Sequence, residues 1–384
     1  MTDKNLLFFL CFIWLYGSSC SGVKQVANRE ANSISRLVFL SEKDIPFNQQ
    51  FNGTTIGGLS GIDYSAAEKA YYLISDDRSA INPSRFYKAQ LVINNNKIDT
   101  VIFISVDSLK EVDGSTYPNS TRDPLHTPDP EGIRYNSKNN TLIWISEGER
   151  IINANTTVLA NPTISVIDKK GTLLDTFVLP PQLRMSKDET GPRQNGVLEG
   201  LTFADDFKTL YVNVEEPLYQ DGPRAAVTPN NAWIRIVKFN TENKKPIAQF
   251  AYHLDPVAYP PVPENAFKVN GIPDILSVAK NKLLVIERSF SSGRLPCTIK
   301  VFIVDLSLAG DISNNQSLIS NPPLKPLSKT LLLNMDTLGI YIDNVEGVTF
   351  GPDLPNGHKT LIFVSDNNFS ALEKTQFLLF EIIP

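Results

Sequence analysis

The chain has 384 residues, of which 42% are hydrophobic and 20% are charged, and its formal net charge at pH 7 is −5. This acidic balance excludes proteins that hold nucleic acid or anionic lipid through a basic surface. Of the three cysteines, Cys11 and Cys20 lie in the N-terminal segment that an export signal and its acylation would use, which leaves Cys297 without a cysteine partner for a disulfide or a metal site. The composition therefore predicts a globular protein with an ample core and no nucleic-acid partner.

The N-terminus resembles an export signal followed by a lipoprotein cleavage site. Lys4 precedes an apolar stretch, residues 6–16, that is too short to form a spanning helix. Small residues then lead to Cys20, which such a site would acylate and so anchor in the membrane. We therefore expect three segments: a signal peptide (1–19), a polar tether (20–34) and one folded domain (35–384). The expected localisation is the periplasm or the cell surface, with ordinary secretion as the alternative.

The remaining chain carries one pattern five times. In each copy a marker residue opens a short strand, and an acidic residue ends the next strand. Successive markers lie 71, 68, 74 and 73 positions apart, and they are Gly61, Gly132, Gly200, Asp274 and Gly347. A fixed period of this kind indicates an array of equivalent structural units.

Each unit contains up to four short strands, with prolines and glycines mostly between them. The predicted third strands are residues 86–91, 164–167, 233–239, 299–304 and 377–382, and the fourth strands are 100–105, 174–179, 247–253 and 330–333. The fifth unit has no fourth strand of its own, but residues 36–40 can supply it. The pattern predicts an all-β, five-bladed β-propeller closed by pairing of the N- and C-terminal strands. A six-bladed ring is the alternative, with its extra blade in residues 107–128 or 182–195.

The markers also predict a metal site. In a propeller the first strand of each blade lines the central channel, so the residues that begin these strands meet around one axis. Carboxylates gathered there without a cation would raise one another's pKa, whereas calcium accepts carboxylate, hydroxyl and carbonyl oxygens together. We therefore expect a Ca²⁺ site whose ligands are Ser60, Glu131, Glu199, Asp274 and Glu346. In the fourth unit either Pro273 or Asp274 occupies this place. The alternative is that each Glu-Gly pair is only a strand-entry turn, with the glycine needed for close packing.

A second set of acids recurs where the second strands end. Its members are Asp76, Asp77, Glu147, Glu215, Glu216, Glu287 and Asp366, and arginines follow several of them. If they meet at one mouth of the channel, carboxylates and guanidinium groups would lie together there, and guanidinium groups clamp phosphates. On this basis the predicted catalytic residues are Asp76, Glu287, Arg288 and Asp366. The predicted substrate-binding residues are Arg78, Arg193 and Arg224. Ordinary surface salt bridges are the alternative.

Several motifs, taken as a set, resemble the phytase-like family, which is also described by an esterase-like activity. They are residues 57–61 (GGLSG), 129–132 (DPEG), 191–193 (GPR) with 199–200 (EG), 287–289 (ERS), 346–347 (EG), 350–355 (FGPDLP) and 365–370 (SDNNFS). More remotely, the arrangement of acids is similar to that of five-bladed calcium-dependent nucleotidases. The resemblance implies a hydrolase of phosphate or other esters.

The sequence offers no common nucleophilic arrangement, because it has no Gly-x-Ser-x-Gly elbow and its three histidines fall in different repeats. The leading hypothesis is an exported, calcium-dependent hydrolase, expected as a monomer, that acts on a small-molecule ester or phosphate. The alternatives are a non-catalytic cell-surface propeller with a structural metal, and a lactonase. A binder can leave every metal position filled by protein, whereas a hydrolase keeps one open.

Overall fold

The structure is a computed structural model that describes residues 34–384. The expected signal peptide, the acylation site Cys20 and nearly all of the expected tether lie outside the described residues. Within residues 34–384 the chain forms strands and two short 3₁₀ helices, Pro181–Leu183 and Met335–Leu338, but no α-helix. None of these helices has the length and hydropathy needed to cross a membrane.

The strands are short and follow one another with few interruptions. The first half contains β1 (Arg36–Ile45), β2 (Gln50–Phe51), β3 (Thr54–Thr55), β4 (Leu59–Ser65), β5 (Ala70–Ser75), β6 (Arg85–Asn94), β7 (Lys97–Ser108), β8 (Pro130–Asn136), β9 (Thr141–Ser146), β10 (Glu149–Ile152), β11 (Thr157–Ala160), β12 (Thr163–Ile167) and β13 (Leu173–Thr176). The second half contains β14 (Leu198–Ala204), β15 (Thr209–Val214), β16 (Trp233–Asn240), β17 (Lys245–His253), β18 (Lys268–Gly271), β19 (Ile275–Ala279), β20 (Lys282–Ser291), β21 (Thr298–Asp305), β22 (Ser328–Asn334), β23 (Asn344–Phe350), β24 (Thr360–Asp366) and β25 (Thr375–Ile383).

Apart from the two small hairpins β2-β3 and β10-β11, these strands form five antiparallel blades, which confirms the five-bladed prediction. Blade one has the order β4-β5-β6-β7, blade two β8-β9-β12-β13, and blade three β14-β15-β16-β17. In blade four β18 and β19 both pair with β20, which continues to β21 and β22. Blade five has the order β23-β24-β25-β1. The segments considered for a sixth blade, residues 107–128 and 182–195, form no sheet of their own.

The two ends of the chain close the ring, as predicted. The N-terminal strand β1 pairs antiparallel with β25, from Arg36 opposite Ile383 to Ile45 opposite Thr375. Leu37 and Ile45 on this strand are buried. Blade five is therefore complete only when the first described strand is present.

The core lies in the seams between neighbouring blades rather than in one central mass. Strands β5, β9, β15, β20 and β24 are mostly buried because each is a second strand with apolar side chains on both faces. One buried cluster fills each of the five seams, and each cluster contains residues of two neighbouring blades: Ile74 and Ile133, Ile145 and Leu201, Ile234 and Val285, Ile286 and Val348, and Ile62 and Val364. The ring is thus held by five equivalent apolar interfaces.

Three marker glycines let the first strands approach one another at the axis. A Cβ on Gly61 would lie 2.7 Å from the carbonyl oxygen of Glu131, and one on Gly132 would lie 2.8 Å from that of Glu199. A Cβ on Gly200 would lie 2.6 Å from the Cα of Asp274. These separations are too short for any side chain, so the glycines are required by packing.

Candidate active site

A cavity of about 730 Å³ opens at the end of the axis where the first strands begin and the second strands end. Its lining includes ten carboxylate side chains: Asp76, Asp129, Glu131, Glu147, Glu199, Glu215, Glu216, Asp343, Glu346 and Glu373. Among residues 34–384, only two cationic side chains line it, those of Arg288 and Arg294. The cavity therefore combines the two families of acids that the sequence repeats predict.

Five of these acids approach closely enough to share cations, and we call them the carboxylate cluster. Oxygen atoms of Asp129, Glu131 and Glu147 lie within 4.8 Å of one another, and so do those of Glu147, Glu199 and Glu215. Glu147 belongs to both groups of three. An all-oxygen set of this kind is what calcium binds, and the donors come from flexible side chains in two adjacent blades.

Local structure explains how the cluster is placed. Glu131 and Glu199 each precede an axial glycine on the first strand of blades two and three, and Glu147 and Glu215 follow the second strands of the same blades. Blade three also holds Glu147, because the backbone N–H groups of residues 196 and 197 donate to its Oε1 at 2.8 and 2.6 Å. The Ser146 hydroxyl accepts the backbone N–H of Asp129 at 2.9 Å.

The electrostatics of the cluster call for a cation. No salt bridge within residues 34–384 reaches Glu131, Glu147 or Glu199, although the first two are buried. Burial and neighbouring carboxylates raise the pKa of Glu131 and of Glu199 well above the usual range. Burial, with the charge of Asp129, raises the pKa of Glu147 to about 8. The residues present therefore fit a divalent cation, which would remove this repulsion.

Two further predicted ligands lie close to the cluster but are already engaged. The Ser60 hydroxyl donates to the carbonyl oxygen of Glu131 at 2.8 Å. Glu346 lines the cavity, accepts a hydrogen bond from the Asn344 side chain at 2.8 Å and lies 3.2 Å from Arg288 Nη1. Burial raises its pKa to about 8, against the lowering effect of Arg288. Both residues stand beside the cluster rather than among its closest carboxylates.

The structure places Asp274, predicted as a metal ligand, outside the cavity. Ile275 pairs with Val285 in the same way as Ile133 pairs with Trp144, so Asp274 takes the position of an axial glycine and Pro273 that of the glutamate. Because proline has no N–H, the first strand of blade four is interrupted there. Both carboxylate oxygens of Asp274 accept hydrogen bonds from Arg134, so they are not available to a metal ion in the cavity.

The structure places Glu287, predicted as catalytic, one residue out of register with the strand-end acids of the other blades. Counting from the same strand pairs, the position held by Glu147 in blade two and Glu215 in blade three is held by Arg288 in blade four. A shift of one residue on a strand turns a side chain to the opposite face. Glu287 is accordingly buried outside the cavity, where Tyr252 and Lys329 donate to its Oε1 at 2.6 and 2.5 Å.

Arg288 reaches the centre of the candidate site. Its Nη2 lies 2.6 Å from Glu215 and its Nη1 donates to the Asn344 side chain at 2.5 Å. Asp76 also lines the cavity and forms no salt bridge in the described part of the chain. Asp366 is buried behind the lining, and its Oδ2 has no hydrogen-bond partner among the described residues. Two of the four predicted catalytic residues therefore face the cavity.

The three arginines predicted to clamp a phosphate do not line the cavity. Arg78 lies 2.6 Å from Glu149, and Arg224 lies 2.7 Å from Glu216. Arg193 donates to two backbone carbonyl groups and stacks over the ring of Tyr219. Each guanidinium group is used in a structural contact. For Arg78 and Arg224 this contact is an ordinary salt bridge, as the alternative interpretation expects.

Sequence reasoning did not assign Asp129, Glu147 or Glu215 to the metal. Asp129 lies in the DPEG motif, and the other two belong to the recurring acids at the strand ends, so the signals were present. What the repeat pattern did not show is that both families of acids meet at one point between blades two and three.

A comparison with family models identifies the family of this chain. The family model described as "Phytase-like: Esterase-like activity of phytase" matches residues 54–369. The chain belongs to the phytase-like family. The match spans all five axial positions and every residue of the carboxylate cluster. A search of curated proteins finds none that matches this phytase-like chain.

Several solved structures match the chain at low similarity. A GH43 β-1,3-galactosidase with galactodeoxynojirimycin is 10% identical with a TM-score of 0.47, and the match covers 88% of this phytase-like chain and 94% of that one. An α-L-arabinofuranosidase from Lactobacillus brevis is 10% identical with a TM-score of 0.43, covering 85% and 91%. A gluconolactonase from Xanthomonas campestris is 10% identical with a TM-score of 0.35, covering 91% and 99%. These values carry no information about substrate.

Proposed function

We propose that this protein is an exported hydrolase that cleaves an ester with the help of calcium bound by the carboxylate cluster. One observation carries the proposal. Two groups of three carboxylates share Glu147 and face a cavity large enough for a small-molecule substrate. Membership of a family described by an esterase-like activity supports the hydrolytic class. The predicted signal peptide would export the protein, with or without acylation of Cys20. Export would give the carboxylate cluster access to calcium.

The side chains of the cavity have distinct proposed roles. Asp129, Glu131, Glu147, Glu199 and Glu215 would hold the cation. A bound calcium ion would supply a Lewis acid next to the ester oxygen. Asp76 faces the same cavity, and we assign it acceptance of a proton from the attacking water. Arg288 is fixed by Glu215 and Glu346 and balances negative charge beside the reacting ester.

A matched pair of neighbours tests the proposal. The purified protein should hydrolyse at least one member of a panel of carboxyl esters, lactones, nucleotides and phosphate monoesters, and chelator should abolish the reaction. Arg288→Gln should reduce kcat/KM at least tenfold because it removes a charge that faces the cavity. Glu287→Gln, one residue away on the opposite face, should leave kcat/KM of the folded protein within about threefold.

Two results would overturn the proposal that the protein is a hydrolase. One is calcium binding without turnover of any substrate class, which would leave a binding protein with a structural metal. The other is equal turnover by Arg288→Gln and the unmodified protein, which would place the reaction outside this cavity. Turnover restricted to lactones would keep the site and the metal while narrowing the reaction to lactone hydrolysis.

A further inference from the structure

One side of the cavity is apolar, and we call it the apolar wall. It consists of Phe267, Val269, Phe290, Leu295 and Leu372. Three of these side chains are strongly exposed, with 55% of Phe267, 78% of Leu295 and 87% of Leu372 accessible to solvent. They come from three separate segments, and large apolar side chains gathered at the mouth of a cavity mark a ligand-binding surface.

The wall continues directly from the carboxylate cluster along one pair of strands. In the β18–β20 ladder Gly271 pairs with Arg288 and Val269 pairs with Phe290. Gly271 packs against Glu215, since a Cβ there would lie 2.7 Å from the Cγ of that cluster residue. Two residues further along the same face, a distance of about 7 Å, the ladder presents Val269 and Phe290. An ester held at the cluster would therefore place its substituent on the wall.

Contacts within the wall keep it in place. The rings of Phe267 and Phe290 lie 6.1 Å apart between centroids. Tyr341, which also lines the cavity, donates from its hydroxyl to the carbonyl oxygen of Leu295 at 3.3 Å. Val269 is buried, so the base of the wall is rigid and its outer edge is open.

The charges of the cavity disfavour a highly anionic substrate. Ten carboxylates line the cavity against two arginines. Arg288 is occupied by Glu215, Asn344 and Glu346, and the guanidinium of Arg294 lies 3.5 Å from the ring centroid of Tyr259. In the described part of the chain no lysine lines the cavity. Calcium held by the carboxylate cluster would offset part of this charge, but a substrate with several phosphate groups would still meet more carboxylates than cationic side chains.

We infer that the site selects an uncharged ester that carries an apolar chain, which lies along the wall of Val269 and Phe290 while the ester bond lies at the carboxylate cluster. This inference rests on the proposed function, because it names the substrate class of the same site. Burial of apolar surface supplies the affinity, and each fully buried methylene group corresponds to about a fourfold gain in kcat/KM.

Two series of simple esters test the inference. Proton release is followed with calcium present for ethyl acetate, ethyl butyrate and ethyl hexanoate, and for ethyl, butyl and hexyl acetate. We expect kcat/KM to rise more than tenfold along at least one series. Inositol hexakisphosphate, the anionic probe, should be hydrolysed less efficiently than the best ester. A value of kcat/KM that does not change with chain length in either series, or a higher value for inositol hexakisphosphate, would overturn the inference. The proposal that the protein is a hydrolase would still stand.

Variants of the exposed edge locate the effect. The double variant Leu295→Ser with Leu372→Ser should lower the ratio of hexyl to ethyl turnover at least fivefold, because the chain loses its contact surface. Leu324→Ser is the matched control, since Leu324 is 98% exposed and lies outside this cavity. It should leave the ratio unchanged. An equal effect of both variants would also overturn the inference.

A binding measurement separates failure of this inference from failure of the proposed function. Calorimetric titration with 2-butanone, 2-hexanone and 2-octanone uses ketones that resemble the esters but cannot be hydrolysed. Affinity that increases with chain length and falls in the Leu295→Ser, Leu372→Ser variant would support the apolar wall even if no ester is cleaved. Affinity independent of chain length, together with no hydrolysis, would overturn both proposals.

Discussion

Arg134 donates from Nη2 to both carboxylate oxygens of Asp274, each at 2.8 Å, although the two residues lie in different blades and 140 positions apart. Nη1 of the same arginine donates to the carbonyl oxygen of Ile62 at 2.7 Å, and Val348 donates its N–H to Asp274 at 2.9 Å. Both members of the pair are buried. The ion pair thus ties blades one, two, four and five together at the axis.

Removal of one partner of this pair should destabilise the whole ring. Asp274→Asn leaves the Arg134 charge buried without its counter-ion, which costs about 3–5 kcal/mol in comparable cases. The free energy of unfolding in urea should fall by that amount. Lys138→Ala is the control, because its exposed pair with Asp206 is worth about 1 kcal/mol or less. Equal midpoints for the two variants would show that the axial pair has no structural role.

Calcium should stabilise the folded protein through the carboxylate cluster. At about a hundred times the dissociation constant, a ligand that binds only the folded state adds about 2.7 kcal/mol. The melting temperature should therefore rise by a few degrees when calcium is added and return to its original value when chelator is added. Glu199→Gln should weaken this response, whereas Glu242→Gln, an exposed charge change on the β16–β17 hairpin, should preserve it. A melting temperature indifferent to calcium would argue against the site.

The calcium-free protein should lose stability as pH rises from 5 to 8. Burial raises the pKa of Glu147 and of Glu346 from 4.5 to about 8. In that window the folded state binds more protons than the unfolded state, so the stabilisation present below pH 4.5 is lost as pH approaches 8. Saturating calcium should oppose this loss, because the cation takes the place of the protons. A melting temperature that increases steadily from pH 5 to 8 without calcium would contradict the assignment.

Deletion of residues 35–41 should destabilise all five blades together. The deletion removes most of β1 and exposes β25 as a long sheet edge that is prone to self-association. Circular dichroism during heating should show a lower melting temperature than that of the control, and size-exclusion chromatography should show aggregates. A chain that begins at residue 34 is the control. Unchanged melting after deletion would mean that the closing strand contributes little to the ring.

Much of the site could be predicted from the repeats, because acids at equivalent positions of a ring must share one end of it. That reasoning found Glu131, Glu199, Asp76 and Arg288, all of which face the cavity. It failed where one blade departs from the pattern. Pro273 interrupts the first strand of blade four, and the resulting register cannot be counted from sequence alone.

The sequence by itself determined the five-bladed ring and its closure by residues 36–40, because strand periodicity and a fixed repeat length are properties of the chain in order. It also indicated the family, through a set of short motifs. Only the tertiary structure decided which acids meet. Glu147 joins the cluster since blade three donates hydrogen bonds to it, whereas Glu287 lies buried on the opposite face of its strand. Contacts between blades depend on strand register, because a shift of one residue turns each side chain to the opposite face of the sheet.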